Sequence, residues 1–153
     1  MPFVWRDLRE RTKLHQPFVE ALDELGLTLK STFYITEGYR TPERSDMLYA
    51  NYKNWLDGGK KGTPAPKAAP AGLSAHNWGL AIDVALDGDD KKSGLQMLWD
   101  INSFGWLELK AKVVLNSKLV GGFTFGDTDH IEFKGWKGWR QLRDPLLYKK
   151  LYG

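Results

Sequence analysis

The chain has no cysteine among its 153 residues, so neither a disulfide frame nor a thiolate metal site can be built from it. Any metal must be held by histidine, aspartate or glutamate. Histidine is scarce as well, with three in the chain: His15, His76 and His130. No apolar run approaches the roughly 20 residues needed to cross a bilayer. The amino terminus, Met1-Pro2-Phe3-Val4-Trp5-Arg6-Asp7, lacks the apolar core of an export signal. Acidic charge is nearly missing from one end. Residues 134–153 carry six basic residues against Asp144 alone, more than accounts for the whole chain's net +3. The positive excess therefore belongs to a basic, aromatic carboxy-terminal segment. That argues against a nucleic-acid groove across the surface and for a local contact with something anionic.

What is present suits one packed domain over residues 1–153, since 42% of the residues are hydrophobic and 13% aromatic. Leu14, Phe18, Ala21, Leu22 and Leu25 form a helical stripe that starts near Gln16 and that Gly26 is placed to stop. Thr32–Glu37 is β-branched and aromatic and reads as a strand. Thr41-Pro42 reads as a cap and first helical position, opening a helix to about Leu56 that buries Leu48, Tyr52, Trp55 and Leu56. Residues 58–73, rich in Gly, Pro, Ala and Lys, form a long loop inside the domain, either solvated or on the rim of a site. Leu80–Leu86 alternates, with Leu80, Ile82, Val84 and Leu86 on one face and Ala81, Asp83 and Ala85 on the other. The pattern further predicts a helix over 91–102, weaker strands at 110–115 and 119–124, and a short strand at 130–133. A closing helix is predicted over 145–151, capped by Asp144. The fold class is α+β, with a small antiparallel sheet flanked by helices.

Ser74-Ala75-His76-Asn77-Trp78-Gly79-Leu80-Ala81-Ile82-Asp83 sets a histidine and an aspartate seven apart, and His130 follows in Asp127-Thr128-Asp129-His130. Two imidazoles and a carboxylate are the ligand set of a hydrolytic zinc site that keeps a position open for water. Zinc held by His76, Asp83 and His130 can lower the pKa of water to roughly 7. A general base is then needed, and Asp127 is near enough in sequence to serve. Asp129 is expected to point away. Arg40, just after a strand and a glycine, is the candidate to stabilise an oxyanion, with a pairing to Glu37 or Glu43 as the structural alternative. Ser74 could donate to a substrate backbone or to a ligand. His15 reads as structural.

At these residues the chain resembles a known family. Ser-x-His-x-x-Gly-x-Ala-x-Asp at 74–83 and Asp-x-x-His at 127–130 are similar to the motifs of the LAS-type zinc peptidases (family M15). That family includes D-alanyl-D-alanine carboxypeptidases and dipeptidases and phage L-alanyl-D-glutamate endopeptidases. Gly-Tyr-Arg-Thr at 38–41 is similar to its upstream arginine motif, and Gly121-Gly122 to the glycine pair before its base. The resemblance runs from about Leu14 to Phe133. It implies zinc on an antiparallel sheet, with His76, Asp83 and His130 as ligands, Asp127 as base and Arg40 as the oxyanion's partner. Ser74 matches a motif serine near the substrate. Asp127, where some members carry glutamate, looks like the phage branch. Ser45 and Val120 depart from the glutamine and tryptophan common in relatives.

The resemblance implies a zinc-dependent bacterial peptidoglycan peptidase, read here as a phage endolysin cutting between L-Ala and D-Glu. Such a lysin would be a monomer made in the host cytoplasm without a signal peptide, reaching the periplasmic wall after membrane damage. Its tail, from Lys134 through Trp136 and Trp139, would approach the anionic envelope or simply cover the sheet. The alternatives are a D-Ala-D-Ala carboxypeptidase or dipeptidase of the same chemistry and a zinc-holding module without catalysis.

Overall fold

A computed structural model describes residues 3–136; the closing helix predicted at 145–151 and the tail beyond Trp136 lie outside the described residues. The elements are β1 (Phe3–Trp5), α1 (Gln16–Thr28), β2 (Phe33–Glu37), α2 (Pro42–Asp57), β3 (Ala81–Leu86), α3 (Phe104–Val114), β4 (Leu119–Gly121) and β5 (His130–Phe133). They build an α+β fold on one sheet ordered β1-β2-β3-β5-β4. β2, β3, β5 and β4 pair antiparallel. β1 adds a parallel edge too short to stand out in the sequence.

One face of the sheet carries the core. Phe33, Ile35, Ile82, Val84, Leu86 and Ile131 join Phe18, Leu22 and Leu25 of α1 and Trp106, Leu109 and Val113 of α3 in a single buried cluster. Phe33 meets Trp106 edge-on at 5.4 Å. Fully burying a side chain such as Phe18 stabilises by about 1.5–3 kcal/mol. Trp136 is buried in the same cluster, so the first tryptophan of the tail serves packing.

α1 runs past Gly26, which is itself buried, and closes at Thr28, where the Leu29 N–H donates to the Gly26 carbonyl. Glycine costs a helix about 1 kcal/mol relative to alanine, less than the burial it permits here. α2 begins as predicted, with Thr41 Oγ1 accepting from Arg44 N–H and Pro42 in the first turn. Its only buried residues are Pro42 and Ser45, however. Leu48, Tyr52, Trp55 and Leu56 are half-buried, because α2 is anchored to the body by its first turn.

Three elements differ from prediction. Residues 91–102 form no helix: the Asp87 carboxylate accepts from the Asp89 and Gln96 amides, and the Leu98 N–H donates to the Leu86 carbonyl. The segment is thus pinned along the end of β3, with Leu98 and Ile101 exposed. Residues 110–115 fall within or just after α3, whose buried positions Gly105, Trp106, Leu109 and Val113 keep a helical period. The strand predicted over 119–124 stops at Gly121 and becomes a 3-10 turn, Gly122–Phe125. Residues 58–73 hold no regular element. The loop is exposed over 58–64 and fastened at its end, where the Ala71 N–H donates to Asp46 Oδ1.

Candidate metal centre

The face of the sheet opposite the core presents Asp83 on β3 and His130 on β5, directly across from each other in the ladder. His76 reaches the same place from a 3-10 turn, Ala75–Trp78, which Ser74 caps by accepting the His76 N–H at 3.3 Å. Gly79, at φ +69°, ends that turn in the left-handed conformation that glycine adopts without strain. Asn77 locks it in place. Its Nδ2 donates to the Arg40 carbonyl (3.0 Å) and to Ser45 Oγ (2.9 Å), while its Oδ1 accepts from Gly72 N–H (3.0 Å). Ser45 is fully buried as a partner of Asn77.

Three acceptors converge. His76 Nε2 lies 3.3 Å from Asp83 Oδ1, and His130 Nδ1 lies 3.2 Å from the same oxygen. The outer nitrogen of each ring is taken: His76 Nδ1 pairs with the Gly38 carbonyl at 2.7 Å, and His130 Nε2 with Glu132 Oε2 at 3.1 Å. When these outer nitrogens carry the protons, the inner ones turn lone pairs toward Asp83. Lone pairs that close repel unless a proton or a cation sits among them. The corners of a zinc tetrahedron with bonds of about 2.0–2.1 Å lie about 3.3 Å apart, so the donor set fits zinc in both type and spacing. Without a metal, a proton takes that place. Burial alone would lower the His130 pKa, but the Asp83 and Glu132 hydrogen bonds outweigh it and raise it to about 9. Burial likewise disfavours the Asp83 charge, and the two imidazoles overcome this, holding its carboxyl well below the usual range.

Arg40 is 11% exposed and forms a two-pronged pair with Glu37, Nε to Oε1 at 2.9 Å and Nη2 to Oε2 at 2.8 Å. Its Nη2 is also 3.9 Å from Asp83 Oδ2. The pairing with Glu37 holds, and that pair stands beside Asp83. A β-bulge makes this possible. Ile35 faces Val84 and Glu37 faces Asp83, with Thr36 as the extra residue. In a regular strand Thr36 would oppose Asp83 and Glu37 would turn toward the core. Burial raises the Glu37 pKa, but the Arg40 hydrogen bonds bring it below its usual value.

Asp127 is 52% exposed, with Oδ2 3.9 Å from His130 Nδ1. Gly122 makes the turn that holds it. Asp127 N–H donates to the Gly122 carbonyl at 2.8 Å, and a Cβ on Gly122 would sit 2.2 Å from the Asp127 oxygen and 2.7 Å from His130 Cβ. Asp129 does not point away as expected. Its carboxylate shares a group with those of Asp83 and Asp127, each offering an atom within 4.8 Å of the others. Burial, then a hydrogen bond with Asp127, pushes it up to about 7. The peptide plane explains the difference: Asp129 gives its carbonyl to Val84 N–H while still in the turn before β5, so strand alternation does not yet govern it. Glu132 was not foreseen either, although alternation from His130 places it on the same face. His15 is structural, its ring edge-on to Phe133 at 5.7 Å.

A family model described as VanY, D-alanyl-D-alanine carboxypeptidase, matches residues 9–133. The chain belongs to this family. It is 39% identical over 82 residues to the peptidoglycan L-alanyl-D-glutamate endopeptidase CwlK of Bacillus subtilis (strain 168). That stretch is 49% of this chain and 43% of CwlK, so it spans less than half of that relative. The Serratia marcescens L-Ala D-Glu endopeptidase ChiX shares the fold, with a TM-score of 0.54 at 15% identity over 90% of this chain and 94% of ChiX. The D,D-dipeptidase VanXYg shares it with a TM-score of 0.50 at 14% identity, over 90% of this chain and 59% of that one.

Proposed function

We propose that this VanY-family chain is a zinc-dependent peptidoglycan peptidase that cuts the stem peptide between L-Ala and D-Glu, in the manner of a phage endolysin. The observation that carries the metal chemistry is the convergence of His76 Nε2, Asp83 Oδ1 and His130 Nδ1, with each ring's other nitrogen already occupied. The choice of bond is supported by the 39% identity to CwlK, and the endolysin role by the short acid at Asp127.

Zinc bound by these three residues supplies Lewis acidity, polarising a peptide carbonyl and making water nucleophilic at neutral pH. Asp127, half exposed beside His130, takes the proton as water adds to the scissile carbonyl and returns it to the departing amine. Arg40 stabilises the oxyanion through Nη1, which has no partner among the described residues. Glu37 holds the guanidinium in place through the other two nitrogens. Ser74, whose Oγ caps the His76 turn, can still donate its hydroxyl proton to a substrate carbonyl.

A second reading, removal of a terminal D-Ala, is favoured by the description of the matching family model. Mass spectrometry of purified peptidoglycan digested with and without a chelator separates the two. The proposal expects glycan-linked L-Ala with a free carboxyl, plus peptides beginning at D-Glu, and no products under chelation. Release of free D-Ala as the sole product would replace it with the second reading. Undiminished cleavage after metal removal would reject both.

A further inference from the structure

We propose that Asn77 is a positioning residue, which holds Arg40 in place beside Asp83 by tying the Arg40 peptide to the turn that carries His76. Arg40 lies in residues 38–41, which join β2 to α2 without regular structure. Gly38 is buried and the other three are half-buried, so their backbone groups need partners that no ladder supplies. They find them in two consecutive residues. The Arg40 N–H donates to the His76 carbonyl at 3.0 Å, and the Arg40 carbonyl accepts from Asn77 Nδ2 at 3.0 Å. The Gly38 carbonyl meets His76 Nδ1 at 2.7 Å. Both ends of residue 40 are thus fastened to this turn before its side chain makes any contact.

Asn77 is 1% exposed, and its amide serves three neighbours at once. Nδ2 supplies the protons that the Arg40 carbonyl and Ser45 Oγ accept, and Oδ1 takes the Gly72 N–H. An aspartate of the same shape could only accept, and would set an oxygen against the Arg40 carbonyl. Asn77 therefore fixes where the Arg40 side chain starts, and Glu37 fixes where it ends. A guanidinium held from both sides needs little reorganisation when an oxyanion forms beside it. This inference rests on the reading of Arg40 as the oxyanion's partner.

The test compares zinc content, melting temperature and steady-state kinetics on a soluble muropeptide. Asn77→Ala, with the same-sized Asn77→Asp should the first not fold, is expected to keep zinc. It should lose roughly 10–100-fold in kcat with KM unchanged. Ser45→Ala removes a partner of the same amide without touching Arg40, so it should lower the melting temperature while kcat stays within about twofold of wild type. In an Arg40→Ala background no side chain is left to aim, and Asn77→Ala should cost less than about a further twofold. An unchanged kcat in Asn77→Ala, a parallel loss of zinc, an equal loss in Ser45→Ala, or a loss that persists beside Arg40→Ala would overturn the proposal. A second readout needs no turnover. In the chelated protein the Arg40 Nε–H resonance should shift in Asn77→Ala and hold its wild-type position in Ser45→Ala. If Arg40→Ala itself keeps full activity, the oxyanion reading fails, and that resonance still decides whether Asn77 places Arg40: an unmoved signal rejects it.

Discussion

At the scale of single residues, the proposed function divides the site into groups that would hold a metal and groups that would act beside it. His76→Ala or Asp83→Ala removes a donor from a set of three and should abolish both bound zinc and turnover. Asp127→Ala should keep the zinc and lose about 10²–10⁴-fold in kcat. Metal content of each purified variant, measured beside its kcat, checks the division, and a fully active Asp127→Ala protein would remove Asp127 from the role of base. Glu132 pairs with His130 Nε2 and would act on a bound metal through that ring. Glu132→Ala leaves the Nε2 proton without its acceptor and should weaken zinc binding about 10–100-fold, measured by competition with a chelator. Glu132→Gln, which keeps an acceptor, should lose less. The grouping of His76, Asp83 and His130, with Asp127 beside them, was legible in the sequence because few residue types can bind zinc and the chain has so few histidines. Glu132 and the Gly38 carbonyl were not read, because the partner of a ring's outer nitrogen is set by the register of the sheet and not by spacing along the chain.

At the scale of elements, turns and irregularities place the chemistry more than the strands do. Gly122→Ala drives a methyl group against the Asp127 carbonyl and His130 Cβ. It should cost about 1–3 kcal/mol of stability and should lower kcat, since relief of the clash moves the turn that carries Asp127. Thermal unfolding and single-substrate kinetics report the two effects separately. Periodic segments were readable for the same reason that they fold: α1 and β3 each have an apolar face to hide. Residues 91–102 misled because Leu95, Leu98 and Ile101 mimic a helical stripe, whereas the end of β3 captures the segment's amides, Gln96 N–H by the Asp87 carboxylate and Leu98 N–H by the Leu86 carbonyl. The Thr36 bulge and the parallel edge β1 depend on which strand lies alongside, and a linear pattern does not contain that information.

For the whole molecule, the metal-free protein should be sensitive to alkali. His130 has a folded pKa of about 9 against about 6.5 unfolded. Its stabilising contribution is complete below about 6.5 and is lost as pH rises through 9. Asp129, raised to about 7, contributes with the same sign, its share being lost between about 4 and 7. The melting temperature of chelated protein should therefore fall steadily from pH 5 to pH 9.5, while zinc-loaded protein, with an ion where the His130 proton was, should hold its value over the alkaline half. Scanning calorimetry of both forms checks this, and parallel curves would contradict it.

The two imidazoles turn opposite edges toward Asp83, one its Nε2 and the other its Nδ1, and neither ring can be turned without breaking its outer bond to Gly38 or Glu132. An engineer who copied only His76, Asp83 and His130 onto a foreign scaffold would transplant rings free to spin. The smallest portable unit also contains a backbone oxygen and a second acid, and it is bound to the pitch of this particular pair of strands.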